Sequence, residues 1–377
     1  MRIFFCISLC FTAIVSYSQV VRGKVCDFKT REALPGVVIY LDGTSVVTTS
    51  DADGNFLLEV EKRINANLVF SHLSYESLVV ENPFEHVGEV FFLKEKSIVL
   101  NAAVVVADYD PYRTERMRIF KKFFLGESVA ANSCVIHNED DILLRYDNNT
   151  ATLHASSRNP LVVENRHLGY RIHIDIQYFQ VKYTYASVVP PSSSTAGSIS
   201  SARAQSIDLS PSSFSYKINY FFEDENPYDV LLSRRRNDIY ERSRQYFWSS
   251  LIANFALKES GFKIYNRSKE VDAREYFSVL DIPTRGEKMV TILPNTDIDR
   301  RHKEVFEGTV YGVMGIRAKN KNDSQVIFLT HQFSVDPFGN ITDSGLVYEG
   351  DMSQQRIGDM LPRDFVYAPF NVPRRRR

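Results

Sequence analysis

Thr49-Ser50-Asp51-Ala52-Asp53-Gly54-Asn55-Phe56-Leu57-Leu58-Glu59-Val60 decides the fold of the first part of the chain. Asp, Asn and Gly crowd its first half, where short polar side chains can bond their own backbone and glycine can take a positive φ. The apolar run from Phe56 to Val60 comes at once after them, so the stretch predicts a tight turn opening a strand. Outward on either side the same grammar repeats. Val21, Gly23 and Val25 alternate in a first strand, and Leu34-Pro35-Gly36 breaks the chain before Val37-Val38-Ile39-Tyr40-Leu41. Asp42-Gly43 is a second turn signal, and Leu68-Val69-Phe70 and Ser77 to Val80 are further strands. Turns recurring about every 8–12 residues predict an all-β sandwich over residues 19–96.

Gly23-Lys24-Val25, Leu34-Pro35-Gly36-Val37, the Thr49 to Phe56 segment and Phe70-Ser71-His72-Leu73-Ser74-Tyr75-Glu76, in that order, resemble the carboxypeptidase regulatory-like domain. The resemblance implies a transthyretin-like, seven-stranded Greek-key sandwich. A sandwich of this size buries only about 60% of its unfolded surface and is marginal alone, so it is expected to dock on the region C-terminal to it.

Residues 97–111 read as a connector or a last strand. Met117, Phe120 and Phe124 then fall on one stripe of a short amphipathic helix. Strands return at Cys134–His137, Ile142–Tyr146, Thr150–Ala155 and Leu161–Glu164. A long strand runs from Leu168 to Tyr185, whose inward face switches near Phe179 and so predicts a bulge or corner. Pro190-Pro191 and many serines make 187–213 a Ser/Pro-rich loop, expected to be disordered. Tyr216–Phe222 is a strand, and Asp229 to Lys258 reads as one long helix, with Ile239, Tyr246, Ser250, Ala253 and Leu257 in a stripe and Gly261 as its stop. Beyond it, Phe306, Val310, Met314 and Ile316 alternate, as do Ile327, Leu329, Phe333 and Val335. The expected fold class is mainly β: the sandwich followed by a β-rich α+β region over 112–370 with one long helix, then a basic tail at 371–377.

The 377 residues are 44% hydrophobic and 24% charged, with 26 Phe and 20 Tyr against one Trp. Phe and Tyr suit pleated, half-buried surfaces. A net charge of −1 offers no global field for nucleic acid or anionic membrane. Arg2, the apolar run Ile3 to Val15 and Ser16-Tyr17-Ser18 have the layout of a signal peptide over 1–18, with cleavage after Ser18. Cys6 and Cys10 would leave with it, and Leu9 before Cys10 argues against a lipid anchor. No later segment reaches spanning length. Localisation is therefore expected to be the periplasm, the outer membrane or the cell surface. Cys26 and Cys134 could bridge there or remain two thiols.

A second resemblance runs through the chain. Phe124-Leu125-Gly126, Cys134-Val135-Ile136-His137-Asn138, Glu164-Asn165 with Leu168-Gly169-Tyr170, Gly261-Phe262, Gly339-Asn340 and Leu361-Pro362-Arg363-Asp364-Phe365 are similar to a group of uncharacterised Gram-negative envelope proteins. It implies architecture and export, and no activity. Arg244-Gln245-Tyr246-Phe247 departs from the Arg-His-Phe-Leu expected in the helix, which removes any role resting on that His.

The polar clusters offer few chemistries. His86-Val87-Gly88-Glu89 has the spacing of a zinc pair, but a catalytic zinc needs a third ligand and a base around it. Asp51 to Asn55 opens like a calcium loop, yet the sixth and twelfth positions, where an EF-hand needs Gly and Glu, hold Phe56 and Lys62. His167 and His173 on one regular strand would stand about 20 Å apart, leaving His173 with Asp175 as a polar face. His331 reads as a satisfied core histidine on an apolar strand face. Asp140-Asp141 and Glu223-Asp224-Glu225 read as loop acids, and Arg374 to Arg377 as a solubilising end. The sequence contains no Gly-x-Ser-x-Gly elbow, His-Glu-x-x-His, phosphate loop or dinucleotide fingerprint.

These readings assign no catalytic, cofactor-binding or metal residue and no cofactor. They point to a non-catalytic binding or scaffolding protein of the cell envelope, partnered by an envelope protein or glycan. The alternatives are a hydrolase acting on envelope peptide or glycan through a site in 112–370, and a carbohydrate-binding protein using exposed Tyr and Phe.

Overall fold

The computed structural model describes residues 19–96, 111–185, 209–283, 285–293, 309–318, 323–341 and 345–368. The signal-peptide reading, the connector at 97–110, the loop at 187–208, Phe306 and the basic tail lie outside them.

The sandwich holds seven strands: β1 (Gln19–Asp27), β2 (Val38–Leu41), β3 (Val47–Thr49), β4 (Asn55–Val60), β5 (Leu68–His72), β6 (Tyr75–Val80) and β7 (Val90–Leu93). They form a three-stranded sheet ordered β4-β1-β7 and a four-stranded sheet ordered β3-β2-β5-β6. The Thr49 to Val60 stretch folds as expected. Asp51 Oδ1 accepts the amides of Asp53 and Asn55 at 3.0 and 2.7 Å, and β4 then alternates, with Phe56, Leu58 and Val60 buried. Phe56, Phe70 and Phe91 meet in the core with ring centroids 4.6–5.9 Å apart. Each such buried side chain contributes about 1.5–3 kcal/mol of hydrophobic stabilisation.

The next body starts with helices α1 (Arg113–Phe124) and α2 (Val129–Asn132), followed by β8 (Cys134–Ile136), β9 (Ile142–Asp147), β10 (Thr152–Ser157), β11 (Leu161–Asn165), β12 (Tyr170–Tyr185) and β13 (Leu209–Asp224). The sheet runs β8-β11-β12-β10-β9, with β13 along β12. Because β12 is long enough to take two partners in succession, β11 pairs with its first part and β10 with its last. The register against β13 shifts between Ile176 and Tyr178. That bulge is where the sequence alternation changes face. The α1 stripe meets this sheet: Phe120 and Phe124 are fully buried and make edge contacts with Phe179. β13 begins at Leu209, so 209–213, expected as the end of the Ser/Pro loop, belong to a strand. Backbone pairing with β12 holds them there without apolar packing from their own serines.

The expected long helix is two helices, α3 (Val230–Tyr240) and α4 (Arg244–Ile252). The break lies at Ser243, whose backbone is extended and whose hydroxyl accepts the Tyr246 amide at 3.0 Å. That N-cap restarts the helix. The physical need is plain in the packing. Ile239 and Tyr240 enter the core of the β12 sheet, while Phe247, Trp248, Leu251 and Ile252 enter a second core. α4 ends at Ile252, so Gly261 closes the turns after it rather than a helix.

The second core lies among β14 (Phe262–Asn266), β15 (Lys269–Val271), the short α5 (Ala273–Tyr276), β16 (Phe277–Ile282), β17 (Glu287–Ile292), β18 (Gly312–Ala318), β19 (Asp323–Phe328), β20 (Gln332–Val335) and β21 (Leu346–Gly350). They make sheets ordered β15-β14-β18-β19-β21 and β16-β17-β20. Trp248 is 0% exposed and stands edge-on to Phe333 and Phe247, at 5.0 and 4.9 Å. Val310, Met314 and Ile316 are buried as expected. His331 is not a core histidine. It is exposed in the turn between β19 and β20, because strand parity does not carry across a hairpin. Among the described residues no helix is long and apolar enough to cross a membrane.

Candidate functional site

The polar residues picked from the sequence mostly hold the protein together. Asp224 binds Arg236 through two contacts of 2.7 and 2.8 Å. Glu225 pairs with Arg171 at 2.5 Å. Glu223 lies 3.2 Å from His173 Nε2, though without the alignment of a hydrogen bond, and the His173 ring stacks on Phe221 at 4.5 Å. Asp141 accepts from Asn138 and Asn159 at 2.8 and 3.1 Å, which holds its pKa below the usual value. His86 and Glu89 form an exposed local pair. His167 precedes β12 and so does not share a strand with His173. The described residues contain no group of three metal-ligating side chains. Cys26 and Cys134 are free thiols.

The segments shared with the second resemblance form joints. Asn165, 0% exposed, donates to the Gly358 carbonyl at 3.0 Å and accepts the Leu168 amide at 3.1 Å. Gly169 has φ +68°, and a Cβ there would lie 2.3 Å from Leu232, so only glycine fits beneath α3. Arg363 and Asp364 tie the far end of the chain to the sandwich. Asp364 accepts the Ser45 amide at 2.9 Å and the Ser45 hydroxyl at 2.6 Å, and the Arg363 amide donates to the Gly43 carbonyl at 2.8 Å.

The Asp42-Gly43-Thr44 turn that leads from β2 to β3 lies against β13. The Gly43 amide donates to the Tyr220 carbonyl at 2.6 Å and the Phe222 amide to the Thr44 carbonyl at 2.9 Å. Asp42 Oδ1 accepts the Tyr220 amide at 2.9 Å. Ser77 donates to Asp175 at 2.8 Å, and the Asn65 amide to Asp336 at 3.1 Å. Tyr40 meets Phe221 at 4.8 Å. The sandwich thus docks as its small core requires, and in doing so covers backbone groups along the outer edge of β13.

Beside this junction opens a cavity of about 420 Å³. β13 supplies Tyr216 and Tyr220, two strand periods apart on one face. The first turn of α4 supplies Arg244, with Trp248 one helical turn on. β21 supplies Tyr348, and the C-terminal segment Arg363. The Arg244 guanidinium lies 4.8 Å from the centroid of the Tyr348 ring. Trp248 Nε1 donates to the Tyr348 hydroxyl at 2.7 Å. Burial pushes Tyr348 up to about 12. Burial also raises Tyr220 and Tyr216, so all three hydroxyls remain protonated donors at neutral pH. Both Arg244 and Arg363 line this cavity, and each lowers the Tyr220 pKa against the larger rise from burial. Among the described residues neither guanidinium is paired with a carboxylate within salt-bridge distance, although Arg363 feels Asp42 and Asp336 at longer range.

A neighbouring cavity of about 310 Å³ shares the Gln355 and Asp359 wall, but its cations are already engaged. Lys122 meets Glu127 at 3.0 Å, Arg242 donates to the Asp238 carbonyl, and Arg356 donates to the carbonyls of Ser353 and Gln355. In the sequence the larger cavity leaves only a faint signal, the unusual Arg244-Gln245-Tyr246-Phe247 of α4. Its other walls come from remote strands.

A seven-stranded sandwich locked onto a β-rich body with an aromatic, cationic cleft defines a mainly β protein. Residues 21–106 match the family described as CarboxypepD_reg-like domain. The expected carboxypeptidase regulatory-like region is thus present at the N-terminus of the chain. No curated protein matches the chain.

Proposed function

We propose that the protein is a non-catalytic binding or scaffolding component of the bacterial cell envelope. One observation carries the reading. The acids Asp175, Asp224 and Glu225 are engaged in joints, whereas the open cleft is lined by two arginines, three tyrosines and a single carboxylate, Asp359. Such a set can hold a ligand by charge-assisted hydrogen bonds and ring contacts. The match of the first region to a regulatory-like family and the signal-like first residues support an envelope role. The test is a crosslinking pull-down of the tagged protein from its native envelope, read by mass spectrometry, together with sedimentation on wall and glycan fractions. A reproducible partner or co-sedimenting polymer is expected. A hydrolase activity on envelope peptide or glycan, abolished by one point substitution, would sink the proposal.

A further inference from the structure

We propose that the cavity between β13, α4 and β21 binds a carboxylated sugar unit, its carboxylate held by Arg244 and Arg363. This deepens the binding role above and rests on it. The cavity volume of about 420 Å³ falls in the range of small-ligand sites, and a single ring unit fits it. Both arginines line this one cavity, and among the described residues neither guanidinium has a carboxylate within salt-bridge distance. Arg forks suit carboxylates.

The walls then discriminate between anions. Gln245 uses its amide nitrogen on the Arg363 carbonyl at 2.9 Å. Asn340 uses its own on Asp336 and on the Arg363 carbonyl at 2.8 Å. Both side chains are thereby fixed at the edge of the lining. Sulfate or chloride offers these amide groups no hydroxyl and the tyrosine rings no apolar face. A sugar acid supplies a carboxylate to the arginines, hydroxyl donors to the amides and a ring face to Tyr216 or Tyr348. Asp359 on the shared wall is a further acceptor for a sugar hydroxyl.

The chain contains one tryptophan, and it lies in the cavity wall bonded to Tyr348. Its fluorescence therefore reads this site. The experiment titrates the whole protein with a galacturonate trisaccharide, the matching neutral galactose trisaccharide and an N-acetylated dipeptide with a free carboxyl end. Calorimetry accompanies the fluorescence. The same titrations are run on Arg244→Gln and Arg244→Lys, both checked for folding by circular dichroism; Arg244 is exposed, so neither should unfold the chain.

The acidic trisaccharide is expected to bind at least about tenfold tighter than the neutral one, as loss of one charged hydrogen-bond partner implies. Arg244→Gln should erase that preference and Arg244→Lys should keep part of it. Equal binding of acid and neutral sugar, an unchanged Arg244→Gln, tightest binding of the dipeptide, or no response to any probe at millimolar concentration would each overturn the assignment. An envelope partner recovered while the sugars fail would leave the binding role standing and remove only the sugar.

Discussion

Replacing Arg236 by methionine should be among the costliest single changes in the chain. Its side chain is 5% exposed, yet the guanidinium is engaged on several sides. It holds both Asp224 oxygens at 2.7 and 2.8 Å and donates to the Leu168 carbonyl at 2.7 Å. It lies 4.0 Å from the centre of the Tyr170 ring. Methionine replaces the aliphatic stem, so little packing volume is lost. The change leaves a carboxylate without its cation and a buried carbonyl without its donor. Breaking a buried pair from one side costs about 3–5 kcal/mol. Asp224 keeps 26% of its side chain in solvent, which places Arg236→Met near the lower end, about 3 kcal/mol. Asp224→Asn leaves the carbonyl and ring contacts intact but strands a guanidinium more buried than the carboxylate, so it should cost a comparable amount, about 3 kcal/mol. The double variant should then lose less than the two singles together. Urea denaturation followed by far-UV circular dichroism measures all four corners of the cycle. A cost for Arg236→Met below about 1 kcal/mol, the value of a surface pair, would refute the reasoning.

Three further outcomes are expected. Gly43 has φ +78°, and a Cβ there would lie 2.6 Å from Arg363 Cδ. Gly43→Ala should therefore lose about 1–2 kcal/mol from backbone strain alone, seen as a lower thermal midpoint; an unchanged midpoint would show that the turn is not held as described. Burial raises the pKa of Asp42, although the Tyr220 amide, Arg363 and Lys217 pull it down. Folded protein then binds this proton more tightly than unfolded chain, so the group adds stability as pH falls through its raised folded value and has added all of it below the ordinary carboxylate value. Asp42→Asn should accordingly be more stable than the parent at neutral pH, by a margin that shrinks on acidification; a margin constant with pH contradicts this. Burial, with Asp359 adding to it, pushes the Cys134 thiol up to about 12. Its alkylation in native protein at mildly alkaline pH should run at least about tenfold slower than that of an exposed cysteine, as peptide mapping of iodoacetamide-treated protein would record.

The sandwich was readable from sequence because its signals are local. Asp51 to Asn55 bonds itself into a turn, and Phe56, Leu58 and Val60 show their burial by parity. The bulge in β12 was readable for the same reason, since one extra residue inverts the pattern. Parity misled at His331, where a hairpin turn intervenes between Phe328 and Phe333. Periodicity misled at Ser243, a polar residue tolerable within a helical stripe, whose capping role depends on two separate cores lying either side of it. The cleft was illegible on other grounds. Tyr216, Arg244, Tyr348 and Arg363 are brought together only by the packing of different sheets, and no spacing in the chain encodes that. Asn165 and Gly169, which the sequence offered without a role, lie where segments press together.

The bond from Ser45 to Asp364 spans 319 positions, and it sets an order of events. During synthesis the sandwich can complete its own sheets early, while the Gly43 carbonyl and the Ser45 amide still wait for Arg363 and Asp364. Closing so long a loop adds little entropy beyond that of a shorter one, but contacts of such separation form late. A chain cut before Arg363 keeps the bonds of the 42–44 turn to β13 but leaves the Gly43 carbonyl and the Ser45 amide and hydroxyl without these partners. The last-made segment thus acts as a latch on a sandwich that is already seated, its bonds at Gly43 and Ser45 reinforcing a junction formed by residues far earlier in the chain.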